Sequence, residues 1–485
     1  MNINDKLSNI PGRYWAYSAL LLWGSLVFFF LLQKTSYGVD EGAARALLLV
    51  WSVADRVVTP VVELGVPDFR AIFYTPVGIL WTGNVLAARI SSILIMAAAA
   101  WITYSWRDRS GESESALLAS GLLLISPLVV DQIDALSVAP FLLFCFASGA
   151  WLNQLYREEP RAFGGLYFSQ IFLCIVSTTL HPIGLAYPAV LAWSWYRQPL
   201  NRDQQKYFLG GIASATLLAL LLTLGWHHVN WFTNPVRSLS STIMGTSSVE
   251  GDLTGIRGAI GSGILLMLLL VVWREALGLW NDFLGQTLLV GLVLGLPIGD
   301  EAWSVLVLSI CLYWGFSLLL RGANGSGNFM KQRGIALGAL FIFSILFMFS
   351  DKMRYQQLQN GFLSPRDTLI RTLVEDTDVS KQSDVSGTVK STRVASQWPG
   401  RTMLACRCDT LPLPPPVKDE QTLLTMLRGI NYLVFDPKDV GNQSLARNLA
   451  VLGGERAETI VIQDAGVIVQ MRDANSQNDS SVILK

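Results

Sequence analysis

The chain has 485 residues, 51% of them hydrophobic and only 15% charged, with a mean hydropathy of +0.41. Soluble domains carry about 25% charged residues, and the apolar residues here come in long blocks, so the composition excludes an ordinary soluble enzyme and reads as a polytopic membrane protein. Basic and acidic residues balance at 36 each, which leaves no electrostatic footprint for a nucleic-acid partner.

In chain order, a short polar stretch (MNINDKLSNIPGR) precedes an apolar run near 15–33. No small-residue cleavage signal follows it, so the run predicts a start-transfer helix and not a cleaved signal peptide. A spanning helix needs about 20 apolar residues. Further spans are predicted near 84–104, 116–130, 135–154, 165–180, 182–196, 207–226, 258–273, 283–299, 301–320 and 333–350, about eleven in all. His181-Pro182 splits the run from 165 to 196, read as a tight turn between two helices, with one kinked helix as the alternative.

Orientation follows from Lys and Arg in the short loops. Arg107, Arg109, Arg157, Arg161, Arg197, Arg202, Lys206, Arg274, Arg321, Lys331 and Arg333 all fall on one predicted side, the cytoplasm, while the opposite short loops "DQIDA" and "GDEAW" carry only acids. The N-terminus is then inside. A first outer loop spans 34–83 and a second spans 227–257. In the first, "GAARALLLVWSVADRVV" has apolar residues at helical spacing with Arg45, Asp55 and Arg56 among them, which predicts a helix lying on the membrane surface. "FRAIFYTPVGILW" predicts a second short one, interrupted at Pro76. The second loop begins "HHVNWFTNPVR" and is rich in Ser, Thr and Gly, a flexible lid or a partly disordered segment.

Beyond residue 350 the composition changes, giving a transmembrane domain over 1–350 and a soluble α/β domain over 351–485 on the outer side. "LPLPPPVKDE" is a proline-rich spacer. "RTMLAC", "NYLVFD" and "ETIVIQDAGVIVQMR" predict strands, and "DEQTLLTMLRGI" and "NQSLARNLAVLGG" predict helices. Of five cysteines, Cys145, Cys174 and Cys311 fall in apolar runs and behave as small hydrophobes. Cys406 and Cys408 form a C-x-C without zinc-like spacing, and a local disulfide is open to them if the tail is extracytoplasmic.

Asp40 and Glu41 stand where the first span should leave the bilayer. Acids at a helix N-terminus stabilise it through the macrodipole, and that is one reading. The other is a general base at the membrane boundary, where partial desolvation and a like-charged neighbour raise a carboxylate pKa. Asp131 and Asp134, in the predicted outer loop "VVDQIDAL", would hold a metal, an acceptor amine or sugar hydroxyls, although a helix N-cap is the first choice for Asp134. Asp300-Glu301 receives the same reading. His227, His228, Arg237 and Arg257, in or beside the second outer loop, would offset charge on a departing phosphate or else snorkel to headgroups. No Ser-His-Asp order, P-loop or metal-ligand histidine cluster is present.

Taken in order, the acidic pair in the first outer loop, Thr75-Pro76, Asn84 with Arg89, and Ala116-Leu117-Leu118-Ala119 with Ser126-Pro127 resemble the GT-C glycosyltransferases, particularly the branch of protein mannosyltransferases and lipid A aminoarabinose transferases, although that branch often has a basic residue and two prolines where this chain has "YTPVG". The resemblance covers about the first 200 residues. It implies a mainly α, GT-C-like membrane protein with a small periplasmic α/β domain, placed in the bacterial cytoplasmic membrane. It implies an inverting glycosyltransferase that takes sugar from a polyprenyl phosphate, with Asp40 as base, Glu41 assisting, and Tyr74 in the substrate cavity. Where relatives carry Thr-Lys-Gly for the donor phosphate, this chain has "TTLHPIGLAYP", which puts His181 in the place of the lysine. The implied partners are that lipid-linked donor, membrane lipids, and an envelope glycan, lipid or protein acceptor; a divalent metal is left open. Two rivals stand beside this reading: an O-antigen ligase or polymerase-like enzyme relying on Arg237, Arg257 and His227, and a non-catalytic scaffold or transporter of an envelope-polysaccharide pathway.

Overall fold

A computed structural model describes residues 12–54, 70–109, 113–158, 163–197, 202–223, 271, 273–274, 278–298, 301–321, 329–361, 363–383, 392–415, 417, 420–463 and 466–471. These residues are mostly helical, with one small sheet near the C-terminus. The chain divides into two compact units: Met1–Leu32 with Ala88–Asn360, and Gln33–Ala87 with Gly361–Lys485.

The first unit is all helix. α1 (Gly12–Leu26) runs on into a π-helical turn at Val27–Leu31. The segment 33–87 intervenes in sequence, with α2 (Glu41–Ala54) and α3 (Ala71–Leu80) in it. The first unit resumes within α4 (Val85–Arg109), followed by α5 (Ser113–Leu124), α6 (Pro127–Asp134), α7 (Ala139–Glu158) and α8 (Phe163–Leu180). Then come α9 (Ala186–Tyr196), α10 (Arg202–Thr223), α11 (Phe283–Gly295), α12 (Glu301–Arg321) and α13 (Phe329–Gln359).

By length and apolarity, two described helices suffice to cross a membrane, over Val85–Arg107 and Asp203–Thr223. A third is added if α5 and α6, bent by 52° at Ile125-Ser126, count as one broken span. The count of eleven is not established by this measure, and the expected span at 258–273 lies almost wholly outside the described residues.

The turn expected at His181-Pro182 is tight. α8 ends at Leu180, a 3-10 turn covers Pro182–Leu185, and α9 follows. The backbone of Gly184 lies so close to the Ser177 carbonyl of α8 that a Cβ there would collide with it, so only glycine fits this fold-back. Aromatic packing holds the same region: Trp195 lies 4.3 Å from Phe208 in a stacked pair and 4.5 Å from Tyr156.

The second unit joins two stretches far apart in sequence. α2 buries Ala43, Ala44, Ala46, Leu47, Leu48, Val50 and Trp51. It packs on α3, where a Cβ at Gly78 would run into Val50. α3 is continuous through Pro76, where an interruption is expected from the sequence. The proline removes one amide, opposite the Ile72 carbonyl, and the helix runs on to Leu80.

The C-terminal stretch supplies α14 (Pro365–Ser383), β1 (Arg393–Ser396), α15 (Pro399–Cys406), β2 (Asp409–Pro412), α16 (Glu420–Met426), β3 (Tyr432–Phe435), α17 (Gln443–Arg456), β4 (Ala457–Gln463) and β5 (Gly466–Met471). The strands form one mixed sheet in the order β2-β1-β3-β5-β4. β1 runs parallel to β2 and β3, and β5 runs antiparallel to β3 and β4. The period-2 pattern of "NYLVFD" divides as a strand should: Leu433 and Phe435 face a core with Leu423, Leu427, Leu445 and Leu449, while Tyr432 and Val434 face one with Leu369, Leu373 and Trp398.

"RTMLAC", expected to be a strand, is instead part of helix α15. Pro399 opens the helix at its first turn, and Arg407 closes it in the left-handed conformation at φ 55°. α15 packs against α2, which couples the 33–87 segment to the C-terminal stretch.

Candidate active site

Asp40 directly precedes α2, and its Oδ2 accepts from the Gly42 amide at 3.2 Å, so it is the cap that an acid in this position predicts. It has a second partner. Arg70, buried at 3% exposure, donates from Nη2 to the same Oδ2 at 2.9 Å, while 48% of the Asp40 side chain stays open. Surrounding protein pushes the Asp40 carboxyl up, but the Arg70 charge and hydrogen bond, the Arg401 charge and the Ala43 amide outweigh this and hold it below the usual carboxylate value. Asp40 is therefore an ionised carboxylate at neutral pH. The upward shift anticipated from a like-charged neighbour is reversed because the nearby charges that dominate are guanidiniums.

Glu41 turns to other work. Its Oε1 accepts from the Gly400 amide at 2.9 Å and from Arg45 Nε at 2.8 Å, and its Oε2 accepts from the Arg401 amide at 3.0 Å. Those two amides are the second and third of α15, which has no local side-chain cap. Glu41 thus caps a helix about 360 residues downstream. Gly400 must be small here, because a Cβ would sit 2.9 Å from Arg45 Cγ and 3.0 Å from Glu41 Oε1. The Arg401 side chain reaches the buried Asp367 at 2.6 Å. Tyr74, on α3 in the same unit, is fully buried.

At the other end of α15, Cys406 and Cys408 are joined in a disulfide that brackets Arg407. Arg407 donates to the Gly83 carbonyl at 3.0 Å, and its guanidinium lies 5.1 Å from the centre of the Trp51 ring. Both ends of α15 therefore grip the 33–87 segment.

Asp131 and Asp134 belong to the other unit and sit in a closed ion network. Arg89, with no exposed side chain, donates from Nε to the Asp134 carbonyl at 2.9 Å and forms an ion pair with Asp134 Oδ1, also 2.9 Å away. Arg354 pairs with Asp131, reaches Asp134 Oδ2 at 2.7 Å, and donates from Nε to the Leu31 carbonyl at 2.9 Å. Asp134 is no N-cap: it ends α6, Leu136 turns the chain at φ 58°, and the Ser137 hydroxyl accepts from the Ala139 amide at the start of α7. Asp134 engages one guanidinium through each carboxylate oxygen, and Asp131 pairs with Arg354. Among the described residues no group of three His, Cys, Asp or Glu side chains comes together to hold a metal ion.

His181 is 3% exposed and caps the 3-10 turn, its Nδ1 accepting from the Ile183 amide at 3.3 Å. His227, His228, Arg237, Arg257 and Asp300 lie outside the described residues. Sequence reasoning passed over Arg70, Arg401 and Arg354. Arg354 had a signal: Lys352 and Arg354 follow the last predicted span on the side whose short loops otherwise carry no basic residue. Arg401 had none, since nothing in a chain of this length links it to residue 40.

No protein family matches the chain, and no curated protein does. Solved structures do. ArnT from Cupriavidus metallidurans in the apo state superposes with a TM-score of 0.56 at 12% identity, over 95% of this chain and 98% of that one. The archaeal oligosaccharyltransferase AglB from Archaeoglobus fulgidus, in complex with an inhibitory peptide and a dolichol-phosphate, gives a TM-score of 0.50 at 11% identity, over 88% of this chain and 70% of that one. Both are GT-C membrane glycosyltransferases. The chain has the GT-C fold.

Proposed function

We propose that this GT-C-fold chain is a membrane glycosyltransferase that moves a sugar from a polyprenyl-phosphate carrier to an envelope glycan, lipid or protein acceptor. The observation that carries the reading is Asp40: a half-open carboxylate held ionised by a buried arginine, in a fold shared with two membrane glycosyltransferases. AglB was solved with a lipid phosphate, which supports a donor of that class.

In the proposed step an acceptor hydroxyl attacks the anomeric carbon and its proton passes to Asp40. The bond from that carbon to the phosphate oxygen breaks, and its electron pair leaves with the lipid phosphate. Attack opposite the leaving group inverts the anomeric centre. A carboxylate of low basicity serves, because the hydroxyl becomes strongly acidic only as the new bond forms. Arg70 keeps the base charged and fixes its direction. Cations must meet the leaving phosphate, a task assigned to Arg237 and Arg257; Asp131 and Asp134, taken up by Arg89 and Arg354, and the buried Tyr74 and His181 have no part in the step.

The Cys406–Cys408 disulfide fits a C-terminal lobe in an oxidising compartment, hence a periplasmic lobe and a cytoplasmic N-terminus in a bacterial inner membrane. The test is transfer from a panel of undecaprenyl-phosphate-linked sugars by the full-length protein in nanodiscs, scored as release of undecaprenyl phosphate. Asp40→Asn should lower turnover about 10²–10⁴-fold, the range of general-base catalysis. Full turnover by Asp40→Asn together with loss in Arg237→Ala would favour the ligase-like reading, and no release by the wild-type protein with any donor would favour the scaffold.

A further inference from the structure

We propose that Glu41 is a positioning residue that docks the acidic loop onto the N-terminus of α15, so that the C-terminal lobe, through Arg401, sets the placement of Asp40. The inference rests on the reading of Asp40 as base.

The geometry is specific. α15 opens with Pro399, whose lack of an amide suits the first helical position, and the next two amides, Gly400 and Arg401, have no side-chain cap of their own. They donate to Glu41 at 2.9 and 3.0 Å, one to each carboxylate oxygen. A negative charge at that end also meets the positive pole of the helix. Arg45, one turn along α2, also bonds Oε1 at 2.8 Å, so three donors hold the Glu41 carboxylate. Glu41 is chemically bonded to Asp40, so fixing one fixes the backbone of the other. Arg401, whose amide is capped, carries its guanidinium on a side chain anchored at Asp367, and its charge is among those that stabilise ionised Asp40. Gly400 keeps the docking distance, since any larger residue would press on Glu41 Oε1 and Arg45 Cγ.

A residue that acts only on folding would lower the amount of active protein and leave its kinetic constants alone. A positioning residue changes turnover in the folded molecules. The experiment uses full-length protein in nanodiscs with the undecaprenyl-phosphate sugar that Asp40→Asn fails to turn over, and it counts only monodisperse protein. Glu41→Ala should lower kcat about 10–100-fold with KM for that donor within about twofold, the pattern of an interaction realised in the transition state. Glu41→Gln, which keeps the side-chain length and one acceptor oxygen, should recover part of the loss. Gly400→Ala, which alters no charge, should reproduce the Glu41→Ala pattern in weaker form. Arg401→Ala should move the acid limb of kcat/KM to higher pH, because a cation that favours the ionised form of Asp40 is gone, and Arg401→Lys should move it back.

Wild-type kcat in both Glu41→Ala and Gly400→Ala, with Asp40→Asn still inactive, overturns the docking role and leaves the base intact. Should Asp40→Asn itself be fully active, the functional reading falls first. If Glu41→Ala does not fold, amide hydrogen exchange on Gly400→Ala decides: faster exchange at Arg401 with unchanged exchange in β1 and β3 supports the docking, and unchanged exchange at Arg401 refutes it.

Discussion

Each unit of the molecule holds a grouping of acids and arginines, and the two are built to opposite ends. In the all-helical unit, Asp131, Asp134, Arg89 and Arg354 neutralise one another; Arg89 has no exposure, and Arg354 spends Nε on the Leu31 carbonyl as well as both terminal nitrogens on carboxylates. In the mixed unit, Asp40 meets Arg70 through one oxygen and leaves about half its side chain open. A closed network is costly to disturb and offers nothing to a substrate. An open carboxylate contributes little to stability and retains the lone pairs a reaction needs. Side chains that all read as acids in a sequence are thus separated by how completely their neighbours use them up.

The largest effect should come from breaking the closed network. Asp134→Ala leaves Arg89 charged and buried with one carboxylate fewer, and should destabilise the detergent-purified protein by about 3–5 kcal/mol, read as a lowered thermal midpoint or loss of monodisperse protein. Arg354→Gln should cost less, about 1–3 kcal/mol, because part of that side chain reaches solvent and an amide still donates to one acceptor. Asp40→Asn should shift stability by about 1 kcal/mol or less while abolishing most sugar transfer, the reverse of the first two variants. An Asp40→Asn protein that unfolds readily, or an Asp134→Ala protein that is stable, would erase the distinction. The smallest change is expected from Arg371→Ala: its pair with Glu375 is exposed at both ends and lies within one helix, so its loss should be worth roughly 0.5 kcal/mol.

How far the sequence could be read follows the range of the interactions. Helices of the first unit are written in local apolar runs, and the tight turn at His181-Pro182 is legible from proline and confirmed by the crowding at Gly184. The alternation in "NYLVFD" reveals a strand with two buried faces. "RTMLAC" misleads because its helix depends on a cap from Glu41, which local propensity does not contain. The sign of the Asp40 pKa is hidden for the same reason: Glu41 is visible as its neighbour, whereas Arg70 and Arg401 arrive through folding. The N-cap expectation for Asp134 fails because Ser137, three residues on, takes the cap and frees the acid for two arginines.

The discontinuity of the mixed unit has a temporal side. Residues 33–87 leave the ribosome long before 361–485 exist, and at about 5–20 residues per second the wait for α15 lasts roughly 15–70 s. Throughout that interval α2 lacks its distant strut, and Trp51 and Glu41 stand without Arg407 and the Gly400 amide. Docking of the Asp40-Glu41 loop therefore waits until late in synthesis, so a chain truncated before residue 399 should insert its helices and yet leave Glu41 without the two amides it caps.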